Sequence, residues 1–370
     1  MEWIELGELS NIETGKLNAN AAVDDGKYPF FTCADEISRI DNYKYDKECI
    51  LIAGNGNLNV KYYSGKFNAY QRTYIIESKD KYFLNTMYLY YFMNTYMERL
   101  RQLSIGGVIK YIKLEHLQKA KIPVPSMEIQ KKIVEVLDKA QGLIDKRKEQ
   151  IEALDKLTES IFYDMFGDPV IEDKGWKKGT IRDLTQKTQY GTSKKASDKG
   201  EYPILRMGNI TYNGNWNLSD MKYIDLDENE KEKFLVESGD LLFNRTNSKE
   251  LVGKTAIYRE KYPMAFAGYL IKLIPNKNGN TEYISAYLNS KFGKLTLLNM
   301  AKNIVGMANI NAQELQNIEI PIPPISLQNE FADKVELIER EKEILNKSLK
   351  LLEENYKSIM DRAFRGEIFS

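Results

Sequence analysis

The apolar positions of the chain keep a seven-residue rhythm in two places. In the first, Ile133, Ala140, Arg147, Leu154 and Ile161 form one line, and Leu137, Ile144, Ile151, Thr158 and Met165 form the other. Only Arg147 and Thr158 break the pattern, and Lys and Glu crowd the remaining faces. This predicts a helix of five heptads with a single apolar seam. Moving on by 198 residues gives Phe331, Ile338, Leu345, Leu352 and Ile359, with Val335, Lys342, Leu349, Tyr356 and Ala363 beside them. The register holds without insertion or deletion, so the chain is built as two halves. Each helix has one charged seam residue, Arg147 and Lys342, at places that are not equivalent, a pattern that can specify pairing. Two such stripes most simply bury against each other. The alternative is a coiled coil that merely dimerises the chain.

The same joint precedes both helices: Ile122-Pro-Val-Pro125 with Gln130, and Ile320-Pro-Ile-Pro-Pro324 with Gln328. Proline continues neither a helix nor a central strand. Each joint therefore reads as an extended linker that fixes where a globular block leaves its helix. Ser126 is the expected N-cap, Ile129 the first buried position, and Gly167-Asp-Pro169 the stop of the first helix. The period changes before each joint. In the first block, residues 28–32, 48–53, 60–63, 71–76 and 109–112 have strand composition, with 60–63 and 71–76 joined through Ser64-Gly65. Residues 83–102 suit a helix that Gly106-Gly107 breaks. In the second block, residues 176–184 echo 3–9, Tyr202-Pro-Ile-Leu205 echoes Tyr28-Pro-Phe-Phe31, and Gly239-Asp-Leu-Leu-Phe243 with Asn244-Arg-Thr-Asn-Ser248 echoes residues 49–59. The offset grows from 175 (Leu184 less Leu9) to 198 (Ile320 less Ile122), so the second block is 23 residues longer, mostly in loops. The expected fold is α+β: two mixed α/β domains separated by two long helices. The segments are 1–121, 122–167, 168–319 and 320–370.

Composition narrows the chemistry. The chain has 370 residues, 42% hydrophobic and 29% charged, which suits two or three domains with real cores. Its formal net charge is zero, a mild argument against a nucleic-acid binder that says nothing about a local basic face. Two cysteines, Cys33 and Cys49, fit no metal spacing and suggest a reducing compartment. A single histidine, His116, leaves no material for a zinc site or a Ser/His/Asp triad. The N-terminus is no signal peptide, and no run of about 18 apolar residues exists. A cytoplasmic protein with no membrane partner is expected. Tyrosine is abundant, 24 in all, either from an AT-rich genome or as stacking groups on a polar surface.

No catalytic constellation emerges. Gly253-Lys-Thr255 ends like a phosphate-binding loop, but the glycine required five places earlier is Ser248. Gly54-Asn-Gly56 lacks the third glycine of a dinucleotide fingerprint. Asp168-Pro-Val lacks the Pro-aromatic continuation of amino-methyltransferases. The triplets Glu77-Ser-Lys79 and Glu172-Asp-Lys174 lack the upstream acid of a nuclease site. What remains are polar loops whose side chains suit base edges, since Arg and Lys match guanine and Asn and Gln match adenine. The candidates are Lys16, Asn18, Asn55, Asn57, Lys61, Gln71 and Arg72 in the first block. In the second they are Lys194, Lys195, Arg206, Asn209, Asn244, Arg245, Asn247 and Lys254. The plainer alternatives are Asn placed for turn geometry and Lys as a solvated charge.

The order of block, Ile-Pro-x-Pro joint, long helix, second block, second joint and second helix resembles the specificity subunit of type I restriction–modification enzymes over essentially the whole chain. Gln130, Gln328 and Gly239-Asp-Leu-Leu-Phe243 carry the resemblance, and Ala363-Phe-Arg-Gly-Glu367 looks like the family's ending, so a complete chain is expected. The resemblance implies that the blocks are target-recognition domains in pseudo-twofold arrangement, each reading half of a bipartite DNA site. It implies that the helices pair as an antiparallel coiled coil and dock two modification subunits. Those subunits carry S-adenosylmethionine and methylate adenine, and a restriction subunit can join them. The chain itself is then a non-catalytic subunit without cofactor. Because the blocks differ, the site is expected to be asymmetric. About 38 helical residues span about 57 Å, which suits half-sites one to one and a half DNA turns apart. The alternative from another class is a non-DNA coiled-coil scaffold with globular protein-binding heads.

Overall fold

The computed structural model describes residues 2–169, 171, 174–304 and 307–369. The chain forms two compact units, Met1–Glu149 with Asn346–Ser370, and Gln150–Leu345. Glu172 and Asp173 of the second Glu-x-Lys triplet lie outside the described residues.

The first unit is organised by a six-stranded sheet. Its order is Ser10–Thr14, Thr73–Ser78, Tyr45–Ala53, Val60–Ala69, Tyr28–Phe31, Ser38–Ile40. All pairs are antiparallel except Tyr28–Phe31 with Val60–Ala69. Alternation along the central strand divides two cores. Ile50 and Ile52 pack with the helix Thr86–Leu103, whose Tyr88, Leu89, Phe92, Met93 and Leu100 recur at helical spacing. Cys49 and Leu51 face Phe31, Tyr45, Phe67 and Ile75. The Ser64-Gly65 dipeptide is not the expected turn. Val60–Ala69 runs through it, with Gly65 opposite Lys47, and the chain reverses at residues 70–72. The expected strand at 109–112 is instead one bridging residue, Tyr111, paired with both Asn55 and Ile105, and it is followed by a short helix, Leu114–Gln118.

The second unit repeats this plan with one division. Tyr202–Leu205 again pairs parallel, here with Met264–Phe266, as Tyr28–Phe31 does with Val60–Ala69. The one long strand of the first unit is replaced by Thr255–Ile257 and Met264–Phe266, which lie in separate four-stranded sheets. The added residues fall in three places. The offset rises from 174 at Tyr28 and Tyr202 to 184 at their partners Ile40 and Ile224. It reaches 191 at Ile50 and Leu241, and 197 at their partners Ile76 and Leu273. Thus the loop 206–221, the helix Glu228–Phe234 and the divided strand absorb the insertion, a helix among them.

The joints are more than linkers. Lys121–Val124 pairs antiparallel with Glu2–Glu5, and Glu319–Ile322 with Lys177–Thr180. The prolines are tolerated because each ribbon has only two strands. Ile129 is only half-buried; the next residue, Gln130, is the buried one. Gln130 accepts from Asn85 N at 2.9 Å and donates to the carbonyls of Phe83 and Pro125, each at 2.9 Å. Gln328 accepts from Asn280 N at 2.9 Å and donates to Asn278 O at 3.0 Å and Pro323 O at 2.9 Å. Asn85 and Asn280 are the N-caps of the two core helices. Tyr88 and Tyr283, three residues beyond those caps, donate to Pro123 O at 2.6 Å and Pro321 O at 2.7 Å. Each joint is therefore stapled to its core helix by a glutamine amide and a tyrosine hydroxyl. The tryptophans do not match in the same way: Trp3 is exposed on its ribbon, while Trp176 donates to Phe166 O at 3.0 Å and closes the first long helix.

The long helices, Met127–Phe166 and Ile325–Phe364, have 40 residues each. In the first unit Ile133 and Leu137 pack with Ile359, Met360, Ala363 and Phe364, and Lys148 pairs with Glu353 at 3.4 Å. In the second, Phe162 and Phe166 pack with Phe331 and Val335, and Asp155 pairs with Lys342 at 2.6 Å. Within each unit the partner numbers fall on one helix as they rise on the other, so the helices run antiparallel. The buried line moves from Ile133, Leu137 and Ile144 to Phe162 and Phe166, one place beyond the expected Ile161 and Met165. A straight helix has 3.6 residues per turn, and this drift is its departure from a strict heptad. Lys342 is buried and also bonds Glu339 at 2.9 Å and Asn215 Oδ1 at 3.3 Å, while Arg147 is half-buried.

Candidate nucleic-acid interface

In the first unit, backbone bonds draw distant loops to one end of the sheet. Gly15 N donates to Thr73 O at 3.1 Å, Gln71 N to Leu17 O at 2.8 Å, and Gly54 N to Arg72 O at 2.8 Å. Gly56 N donates to Lys110 O and Ile112 N to Gly54 O, both at 2.9 Å. Gly15 is required here, because a Cβ would stand 2.2 Å from Ala69 O. The result places Lys16, Asn18, Gln71 and Arg72, all exposed, beside the half-buried Asn55. Gln71 Nε2 donates to Asn18 Oδ1 at 3.1 Å. Gln71, Arg72 and Gly54 border a cavity of about 320 Å³ together with Tyr111 and Lys113. Those last two escaped the sequence reading; their signal was a Lys-Tyr-Ile-Lys run at the end of a glycine turn.

Asn57 and Lys61 belong to a different arrangement. Asn57 Nδ2 donates to Asp35 Oδ2 at 3.0 Å, and Lys61 Nζ to Ala34 O at 2.7 Å and Asn59 Oδ1 at 2.5 Å. Burial pushes the Lys61 ammonium below its ordinary pKa, with Asp35 and Cys33 opposing. This lysine clamps two loops. Glu77 and Lys79 of the first Glu-x-Lys triplet are also structural: Glu77 pairs with Lys47 at 2.8 Å, and Lys79 Nζ donates to Gly7 O at 2.9 Å.

The second unit builds the same frame with other side chains. Gly191 N donates to Leu270 O at 3.2 Å, Arg245 N to Tyr269 O at 3.0 Å, and Ile310 N to Arg245 O at 2.9 Å. Arg245 thus takes the place of Gly54, and Tyr269 that of Arg72. The Arg245 guanidinium lies 4.9 Å from the centre of the Tyr190 ring, and its Nε is buried without a hydrogen-bond partner. Tyr190 Oη in turn accepts from Ala312 N at 2.9 Å, and Tyr269 is about half exposed. Neither tyrosine was among the expected residues, because base-edge chemistry selects amides and cations and passes over a ring that holds one of them.

Three expected contacts are spent inside this unit. Asn209 is buried, accepts from Arg206 N at 2.8 Å and donates to Asn217 O at 2.9 Å. Asn244 is fully buried, with its amide on Leu251 O at 3.4 Å. Lys254 Nζ donates to Met207 O at 2.9 Å and also to Ile210 O, and burial lowers its pKa. Of the others, Lys194 pairs with Glu230 at 2.5 Å, and that contact holds the Glu230 carboxyl below its ordinary pKa. Arg206 bonds Asp220 Oδ2 at 2.9 Å, Asn247 accepts from Ser248 N at 2.9 Å, and Lys195 is exposed. Among the described residues no group of three or more His, Cys, Asp or Glu is placed to hold a metal ion, and no helix is long and apolar enough to cross a membrane.

Residues 1–154 and 173–354 match the model of the family described as type I restriction modification DNA specificity domain. The chain is 28% identical over 404 residues to the type I restriction enzyme EcoDI specificity subunit of Escherichia coli, covering 100% of this chain and 89% of that one. It is 26% identical to the EcoKI specificity subunit of E. coli K12 over 74% of this chain and 63% of the other. Its fold is similar to a type I restriction–modification S subunit from M. genitalium, with TM-score 0.59 and 17% identity, covering 98% of this chain and 96% of that one. It is also similar to a chain from a structure described as the basis of complex assembly and conformational transition of the type I R-M system, with TM-score 0.56, 15% identity and coverage of 99% and 98%.

Proposed function

We propose a function from one premise: the chain belongs to the type I restriction modification DNA specificity domain family. In this reading it is the DNA sequence-specificity subunit of a type I restriction–modification complex. Residues 1–121 and 168–319 are the recognition heads, and residues 122–167 and 320–370 supply the joints and spacer helices. Each head reads one half of a bipartite site in double-stranded DNA, working in the cytoplasm. The chain itself catalyses nothing. Two modification subunits bring S-adenosylmethionine, and a restriction subunit can join them.

The observation that carries this reading is one frame with two sets of side chains. Arg72 stands beside Gly54 in the first unit, where Tyr269 stands beside Arg245 in the second. Equal frames with unequal polar groups read unequal half-sites, so the site is asymmetric. The contact set narrows to Lys16, Asn18, Asn55, Gln71 and Arg72 in one head. In the other it is Lys195, Arg245 and Asn247, with Arg206 available once DNA competes for its exposed partner Asp220, and Lys194 once DNA competes for the partly buried Glu230. Within the second unit, exposed Leu337 and Ile344 lie seven apart on the second long helix and suit docking of a further helix from a modification subunit.

Methylation mapping in a host expressing this chain with its modification subunits tests the proposal. The expected result is one asymmetric bipartite motif. A chain that binds partner proteins yet leaves their methylation pattern unchanged is instead a scaffold.

A further inference from the structure

The hairpin of residues 105–111 is built to present apolar side chains to solvent. Ile105 and Tyr111 close it with two backbone bonds of 2.9 Å, and it is anchored to the base-reading loop through Gly56 N on Lys110 O at 2.9 Å. Its turn needs Gly106, whose φ is +114° and whose Cβ would stand 2.5 Å from Ile109 O. At the tip Val108 is 103% and Ile109 61% exposed, with Ile105 and Tyr111 partly exposed below them. A tip this well fixed and this apolar marks an interaction site. Its surroundings point to the partner. Tyr111 and Lys113 border the same cavity as Gln71 and Arg72. Residues 104–113 contain Lys110 and Lys113 and no acidic residue. The second unit has an antiparallel strand pair in the corresponding place, Lys302–Ile304 with Met307–Asn309, in which Asn309 faces Thr246 as Tyr111 faces Asn55.

We propose that the 105–111 hairpin is an apolar wedge that enters a DNA groove at the half-site read by the first head and opens a base step there. This rests on the DNA-reading function proposed above and adds a contact to it. Lysines at the base of the tip meet phosphates, while Val108 and Ile109 pack against base faces that the bend exposes. Wedges of this chemistry kink duplexes by about 20–90°.

The test uses the full chain assembled with its modification subunits and the DNA site mapped for the wild type. The variant carries Val108→Ser and Ile109→Ser. Because both residues lie outside the core, its melting temperature should be unchanged. Its affinity for the mapped site should fall about tenfold or more, and the bend measured by circular permutation at the first head's half-site should shrink. Unchanged affinity and bend overturn the inference. So does failure of the variant chain to bind modification subunits, which would make the tip a protein contact. A wild-type chain that directs no bipartite methylation defeats the DNA-reading function itself and takes the wedge with it.

Discussion

The two units share their joints and differ in their sheets. In both, a buried glutamine, an asparagine N-cap and a tyrosine hydroxyl fasten an Ile-Pro-x-Pro ribbon to a core helix, at distances that agree within about 0.1 Å. Between those fixed points the first unit has one ten-residue strand, Val60–Ala69, where the second has two short ones. The second unit also gains the loop 206–221 and the helix Glu228–Phe234. The contrast teaches where the chain permits change. The staple sets how a head leaves its helix and is repeated residue for residue. The far end of the sheet carries the polar loops and has been rebuilt.

The largest effect should come from breaking that shared element. Gln130→Ala leaves the Asn85 N–H and the carbonyls of Phe83 and Pro125 without partners in a buried site. Unsatisfied buried groups cost about 1–3 kcal/mol each, so a loss of about 3 kcal/mol or more is expected for the first unit. Gln328→Ala should do the same to the second. Denaturant titration with a tryptophan probe in each unit reads this. Equal loss in both units from either variant would contradict the local account.

Next in size are the groups that differ. Arg72→Ala and Arg245→Ala should each relax one half of the methylated motif and leave the other half intact. A good bidentate contact contributes about 1–3 kcal/mol of discrimination. Arg245→Lys should also fail to restore the motif, because a lysine cannot reproduce a planar guanidinium held against the Tyr190 ring. Motif sequencing of each variant measures both effects. Relaxation of both halves by one substitution would mean that the heads are not independent readers.

A smaller effect distinguishes the seams. Burial opposes the Lys342 charge, but Glu339 and Asp155 outweigh it and hold its pKa above the ordinary 10.5. A raised folded-state pKa contributes stability that is fully present below the unfolded value near 10.5 and is lost as pH rises through the folded value. Lys342→Met should therefore narrow its deficit against the wild type above that pH. At pH 7 the two should lie within about 1–2 kcal/mol, because methionine fills a seam position well and both carboxylates keep some contact with water. Paired denaturation curves across alkaline pH check the sign.

Much of this was legible in the sequence, because periodicity and repetition are properties of the chain itself. The 198-residue offset, the two seams and the doubled joint follow directly from apolar spacing. What was not legible depended on partners far away in sequence. Ser64-Gly65 resembles a turn, yet it is held straight by the strand opposite, from Lys47 to Cys49. Asn209 and Asn244 have the composition of reading loops, and their burial is decided by backbone groups that only the fold brings near. Gln130 and Gln328 stood out as repeated residues, but their role required the N-cap loops, 45 and 48 residues earlier in the chain. Tyr190 became visible only when Arg245 was placed over its ring.

The central claim is that the helices set spacing while the heads set sequence. Deleting one heptad from each long helix, residues 147–153 with 345–351, removes about 10.5 Å of rise from the rod, or about 3 base pairs of duplex. Methylation mapping of that variant should show both half-sites unchanged with the gap between them shortened by about that amount. Altered half-sites with the original gap would contradict the account.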